Sequence, residues 1–391
     1  MEGTMIPFAR ILSYGNKVAG LSKIKDLQAN DTHLMLLTTD GDMWAYGYSN
    51  SGSMGIGTTV PQANQGWYKS NISNVRLFSS NRLTSTIAVT TDNKVYVCGS
   101  IVAAKFSTPN LPTSNLSWLD VTDHIPQEIL DAGIKQIYNQ TNYVAILTNN
   151  NVVYSVAFTL GDSSVVVERT WRRNTATSIV PDKIVGFEQT ASGFVFIVQD
   201  SSGYLYGLGY NGNRIISSAA TSTFTTYTQL GTLAYLDYQI ANGGTFSTGI
   251  LSDGRAVHCG SLTGVASFNN TLTAASNVPL KVAAFAGCGI GVIQSNRMLG
   301  AYTSNQLPIA SAGNTNSGSV VIIRNMPGSM SSADIKFMCG NGSTSTGNKN
   351  MYVLYQDVNG KSTIFGLGFC VGQGASVNQP FVKIDLPGGL E

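Results

Sequence analysis

Charge is what this chain has least of. Charged residues make up 11% of its 391 residues, well below the share of about 25% in ordinary globular chains. Lys and Arg number 23 against 21 Asp and Glu. A net charge of +2 gives no long-range field for gathering a polyanion, so nucleic acid is not an expected partner. Histidine is scarcer still, with His33, His124 and His258 the only three. None has the i, i+4 companion or the clustered cysteines of a zinc site, so neither a metal nor a cofactor is expected. The five cysteines are an odd number. Cys98, Cys259 and Cys370 lie beside glycines that end strands, while Cys288 and Cys339 sit near the turn after a strand. All five read as reduced core fillers. No apolar run approaches the length of a membrane helix. The opening Met1-Glu2-Gly3-Thr4-Met5-Ile6-Pro7 lacks the basic-then-apolar layout of a secretory leader.

What is present is a repeat. Seven times the chain places an apolar residue and a second one three positions on: Ile24/Leu27, Val75/Phe78, Ile134/Ile137, Ile184/Phe187, Tyr235/Tyr238, Val282/Phe285 and Ile335/Met338. A second apolar run comes after each pair and ends in turn chemistry: Asp40-Gly41, Asp92-Asn93, Asn149-Asn150, Ser202-Gly203, Asp253-Gly254, Ser295-Asn296 and Asn359-Gly360. These residue types accept the positive φ of tight hairpins. A third strand leaves each turn, as in Asp42–Gly47 and Arg255–Gly260. A period of about fifty residues marks a quasi-symmetric array. The pattern predicts an all-β fold, a seven-bladed β-propeller with four-stranded antiparallel blades, occupying residues 1–391 as a single domain. Propellers commonly close by letting one terminus complete the other's sheet, so 1–20 and 378–391 are expected closing segments. Phe8–Leu12 and Phe381–Ile384 are the candidate joining strands.

Repeat one carries a further signature. Ala29 to Gly47, continuing to Gly52-Ser53-Met54-Gly55-Ile56-Gly57, has a histidine opening its second strand, an Asp-Gly turn, an aromatic third strand and a Gly-x-Gly exit. This resembles the repeat of the regulator of chromosome condensation family. Later repeats keep the skeleton and lose the histidine, and the exit survives only in pieces such as Gly372-Gln373-Gly374. The resemblance spans about residues 20 to 385 and implies a seven-bladed propeller. It also implies two kinds of non-catalytic protein-binding regulator, an exchange factor for small GTPases or an enzyme inhibitor. Fold alone does not choose between functions.

Enzymatic motifs do not survive their context. Gly207-Leu208-Gly209-Tyr210-Asn211-Gly212 fits the dinucleotide fingerprint, but that fingerprint needs a helix behind its glycines. The next residues, Asn213 to Ser218, are β-prone. No G-x-S-x-G elbow occurs. No catalytic residue is assigned. Recognition is expected where the repeat is interrupted, at 48–71, 101–133 and 159–181. Trp67, Tyr68, Trp118, Trp171, Arg172 and Arg173 are the candidate binding residues there, because tryptophan and arginine dominate interface energetics. The alternative is that the tryptophans pack their own loops against blade rims.

A charge-poor, hydroxyl- and amide-rich surface, together with reduced cysteines and no leader, points to a bacteriophage virion protein. It would be made in host cytoplasm and would act in the tail or in host attachment. Its partners would be other virion proteins and a cell-surface glycan or protein receptor. Membrane insertion is not expected. An intracellular protein-binding regulator is the alternative on the same propeller.

Overall fold

The computed structural model describes residues 23–390 apart from internal stretches, the longest being 157–169, 272–280, 303–320, 326–334 and 369–380. Its strands pair into seven four-stranded antiparallel sheets, each built from strands consecutive in sequence. The innermost strands are Ile24–Ala29, Val75–Ser80, Ile134–Asn139, Lys183–Thr190, Tyr235–Ile240, Lys281–Phe285 and Ile335–Gly342. The outermost are Gly66–Lys69, Ser114–Asp120, Trp171–Arg173, Thr223–Gln229, Ala266–Thr271, Val321–Asn325 and Val382–Ile384. We number the blades 1 to 7 in this order. Each inner strand lies beside that of the next blade, and blade 7 returns to blade 1. The expectation of seven packed blades is corrected at the level of side chains. A packed core is described for six blades rather than seven, the sheet at 281–325 being described by backbone pairing alone. Among the described residues one short α-helix, Gln127–Ala132, and the 3-10 turns Gln62–Asn64 and Thr122–His124 interrupt the β architecture.

The apolar pair three positions apart has a specific cause. A regular strand sends residues i and i+3 to opposite faces. Six of the seven inner strands, however, carry a β-bulge between the two members, at Lys25, Arg76, Lys135, Val185, Leu236 and Lys336. The extra residue shifts the alternation by one. Ile24 and Leu27 therefore fall in one apolar cluster, as do Val75 and Phe78, Ile134 and Ile137, Ile184 and Phe187, and Tyr235 and Tyr238. Each pair packs against the preceding blade. The cluster between blades 7 and 1, for instance, joins Ile24, Leu27 and Leu36 to Tyr352, Leu354 and Ile364.

The opposite face of the inner strands is polar and reaches forward. Gln28 of blade 1 donates to Phe78 O (2.8 Å) and accepts from Ser80 N (2.9 Å) in blade 2. Gln136 of blade 3 repeats the device on one residue of blade 4, donating to Ile184 O (2.6 Å) and accepting from Ile184 N (2.7 Å). The bulged Arg76 donates to Ile134 O in blade 3 at 2.7 Å, and the bulged Lys135 meets Asp182 ahead of blade 4 at 2.8 Å.

The hairpins share one turn. In blades 1 to 5 a three-residue loop ends in a left-handed residue, Gly41, Asn93, Asn151, Gly203 or Gly254. The same backbone pair closes each of them, as in Thr38 N to Asp42 O and Gly41 N to Thr38 O. This is a type I turn with a bulge residue after it. In blade 3 the positive φ belongs to Asn151, one residue after the expected Asn149-Asn150 pair. The turns expected at Ser295-Asn296 and Asn359-Gly360 lie outside the described residues.

Of the two candidate joining strands, one lies among the described residues. Among the described residues no sheet borrows a strand from the far end of the chain, and Val382–Ile384 completes the sheet of its own blade. The ring is joined at blades 7 and 1 by apolar packing and by Trp67 Nε1, which donates to Asp385 O at 2.7 Å. Phe8–Leu12 lies outside the described residues.

Replacing Gln136 with Leu strands the backbone N–H and C=O of Ile184 in a buried seam. The expected cost is about 3 kcal/mol, read as a lowered urea midpoint. A change below about 0.5 kcal/mol would show that the seam does not depend on this amide.

Candidate functional site

Each of the three expected insertions supplies the outer strand of its blade. Trp67 and Tyr68 lie on the outer strand Gly66–Lys69, Trp118 on Ser114–Asp120, and Trp171, Arg172 and Arg173 form the outer strand of blade 3. In the sequence these segments look like loops because edge strands are half-exposed and lack an apolar period. The structure does not bring the six residues to one patch. They occupy three successive rims.

The tryptophans share a common geometry. Trp67 of blade 1 donates its indole N–H to Asp385 O at 2.7 Å, just past the outer strand of blade 7. Trp118 of blade 2 donates to Ser70 Oγ at 2.9 Å, just past the outer strand of blade 1. Trp171 of blade 3 donates to His124 O at 2.9 Å, beyond the outer strand of blade 2. Blade 4 continues the series with reversed donors, since Asn174 Nδ2 gives its proton to Tyr227 OH at 2.6 Å. Sequence reasoning misses Tyr227, although its place in an outer strand of the same repeat marks it. Burial raises the Tyr227 phenol above its usual range. All three indoles are half-buried. Trp171 also packs against the apolar clusters on both faces of its blade. Tyr68 spends its hydroxyl on Asn64 O at 2.6 Å. Arg172 and Arg173 are left exposed on the sheet edge, paired through backbone with Ser155 and Tyr154. Val180, later in the same segment of sequence, is 66% exposed.

Groups with catalytic residue types are tied into structure. His33 is buried, and one neutral tautomer satisfies it. Asn30 Nδ2 donates to Nε2 at 2.8 Å, and Nδ1–H donates to Thr32 Oγ1 at 3.0 Å. Thr32 Oγ1 passes a proton on to Asn30 Oδ1 at 3.3 Å. Burial holds the His33 pKa down at about 3. Gly47 across the ladder has φ +130, and a Cβ there would strike the Thr32 carbonyl. Gly207 and Gly209 lie within a strand, and Gly209, at φ +97, leaves room for the Phe194 carbonyl. Turns, not a helix, come after them. Cys98 and Cys259 are buried free thiols, and burial raises the Cys98 pKa. Cys288 and Cys370 lie outside the described residues. Among the described residues there is no cluster of three His, Cys, Asp or Glu suited to a metal. No helix there is long and apolar enough to cross a membrane.

His33 carries a pH signature. Its folded pKa of about 3 lies below the ordinary 6.5, so the unfolded chain binds the extra proton between those values. The stability it contributes is complete above pH 6.5 and is lost as pH falls toward 3, at up to about 1.4 kcal/mol per pH unit. Urea titrations from pH 7 to 4 should show this slope reduced in His33→Gln; an unaltered slope would contradict the assignment. Trp171→Phe keeps an aromatic ring and removes the N–H, and should cost about 1 kcal/mol by the same assay, with Trp171→Ala costing about 3. Equal costs would mean that the ring adds no packing to the seam beyond its hydrogen bond to His124.

No family model matches the sequence, and no curated protein matches it. Solved structures do match its fold. Human WBSCR16 aligns with a TM-score of 0.62 at 14% identity, over 89% of this chain and 94% of that one. Prp20p from Saccharomyces cerevisiae, described with its binding properties to Gsp1p and histones, aligns at 0.62 and 10% identity, over 92% and 89%. Yeast RCC1 (Prp20) bound to Kap60 aligns at 0.59 and 13% identity, over 90% and 85%. These likenesses show an RCC1-type propeller fold.

Proposed function

We propose that this chain is a non-catalytic protein-binding propeller of the regulator type, engaging its partner through the rim of blade 3. The observation that carries the reading is the exposed Arg172-Arg173 pair on an edge strand whose first residue, Trp171, is locked into the seam behind it. In a chain with 11% charged residues, two adjacent exposed arginines are a concentrated feature. Arginine on a rigid support gives forked hydrogen bonds to carboxylates at small entropic cost. The expected partner surface is therefore acidic. Support comes from propellers of the same shape whose structures are described with protein partners, Gsp1p and histones for Prp20p and Kap60 for yeast RCC1. The virion and host-attachment reading drawn from composition gains no support from these structures and is not carried forward.

Affinity capture with subsequent cross-linking and mass spectrometry tests the proposal. Cross-links should concentrate at 171–182, and Arg172→Ala/Arg173→Ala should weaken the captured partner at least about tenfold. The melting temperature should stay within about 2 °C of the parent. Cross-links confined to other blades, or binding indifferent to the double substitution, would overturn it.

A further inference from the structure

A groove of about 830 Å³ opens between blades 1 and 2, on the face that carries the three-residue turns. That volume falls within the range of about 300–1,000 Å³ typical of ligand clefts, but its lining is unlike the usual apolar pocket. Asn71, Ser73 and Asn74 come from the connector between the blades, and Thr91 and Tyr96 come from blade 2. Among the described residues, none of these five side chains has a hydrogen-bond partner within the protein. Their neighbours in the groove are already committed. Ser70 Oγ donates to Met54 O (2.7 Å) and accepts from Trp118, Lys69 pairs with Asp42 at 2.7 Å, and the Thr90 hydroxyl donates to Asp92.

The backbone beneath these side chains is fixed. Asn71 N donates to Gly55 O (2.9 Å), Thr91 N to Asn74 O (2.8 Å), and Val75 N to Gly41 O (3.0 Å). Asn74 itself sits at φ 57, packed against Gly41. The unoccupied groups are thus held in place before any ligand arrives, which lowers the ordering cost of binding.

We infer that this groove is a saccharide-binding site. Amides and hydroxyls offer donors and acceptors side by side, which is what the vicinal hydroxyls of a sugar require. Tyr96 and Trp118 supply aromatic surface on the blade 2 side, suited to the apolar face of a pyranose ring. The Asp42 charge is paired to Lys69, so Asp92 is left to disfavour a polyanion, and a lone carboxylate does not concentrate negative charge for a cation. A neutral oligosaccharide matches what remains. The inference is independent of the rim proposed for protein binding, because no residue is shared.

The test is isothermal titration of the full chain with maltotriose, cellotriose and triacetylchitotriose, with the tripeptide Gly-Arg-Gly as the competing class. At least one sugar should bind saturably, with a Kd on the order of 1 mM. Tyr96→Ala should weaken it at least about tenfold. Asn74→Gly, which keeps the left-handed backbone while removing the amide, should weaken it about threefold or more. Thr225→Ala, on the outer strand of blade 4, should bind like the parent chain. No saturable binding of any of the three sugars up to about 20 mM would overturn the inference. So would binding indifferent to both groove substitutions, or binding of the tripeptide alone.

Discussion

One inserted residue in each of six inner strands organises this propeller. The bulge at Lys25, Arg76, Lys135, Val185 and Leu236 lets two apolar residues three positions apart face the same neighbour. It also turns the inserted side chain out of the ladder. In blades 2 and 3 that side chain is a cation that reaches the next blade, as Arg76 does to Ile134 O and Lys135 to Asp182. A blade therefore looks backward with hydrocarbon and forward with hydrogen bonds, and repeating that polarity makes a ring. Buried amides such as Gln28 and Gln136 act as clips that also fix register, since each addresses backbone atoms of the following blade.

The rim repeats the logic with larger side chains. Trp67, Trp118 and Trp171 reach from each outer strand to the tail of the blade before it, and Tyr227 takes the place of the indole in blade 4. Binding residues on such a ring inherit its stiffness. Arg172 and Arg173 come directly after a tryptophan that is fixed on both faces, and the side chains of the blade 1–2 groove project from a connector pinned by three backbone hydrogen bonds. Recognition and stability are divided between adjacent residues, not between separate regions.

Much of the frame is legible in the sequence, because burial of inner strands and left-handed turn residues leave strong marks. Inner strands begin at Ile24, Val75, Ile134, Tyr235 and Ile335, at the first members of the apolar pairs. The turn in blade 3 falls one residue later than expected, since three consecutive asparagines at 149–151 all tolerate positive φ and composition cannot choose among them. The outer strands are hidden. Ser114–Asp120 alternates too weakly to announce itself, and its tryptophan reads as a loop contact. The packing of Tyr352 and Leu354 on Ile24 and Leu27, which joins blades 7 and 1 among the described residues, leaves no periodic mark because the two segments lie at opposite ends of the chain. The groove cannot be read from the sequence at all, because it joins 69–74 to 90–96 and 118 through a contact between blades.

The bulge is the claim on which the rest stands, and Leu236 isolates it. This residue is the inserted one in blade 5 and is 49% exposed, so its side chain contributes little burial. Thermal unfolding of Leu236→Ser should stay within about 3 °C of the parent chain. Deletion of Leu236 should move Tyr235 out of the cluster it shares with Tyr238 and lower the midpoint by about 10 °C or more, or prevent folding. A deletion no more harmful than the substitution would contradict the account.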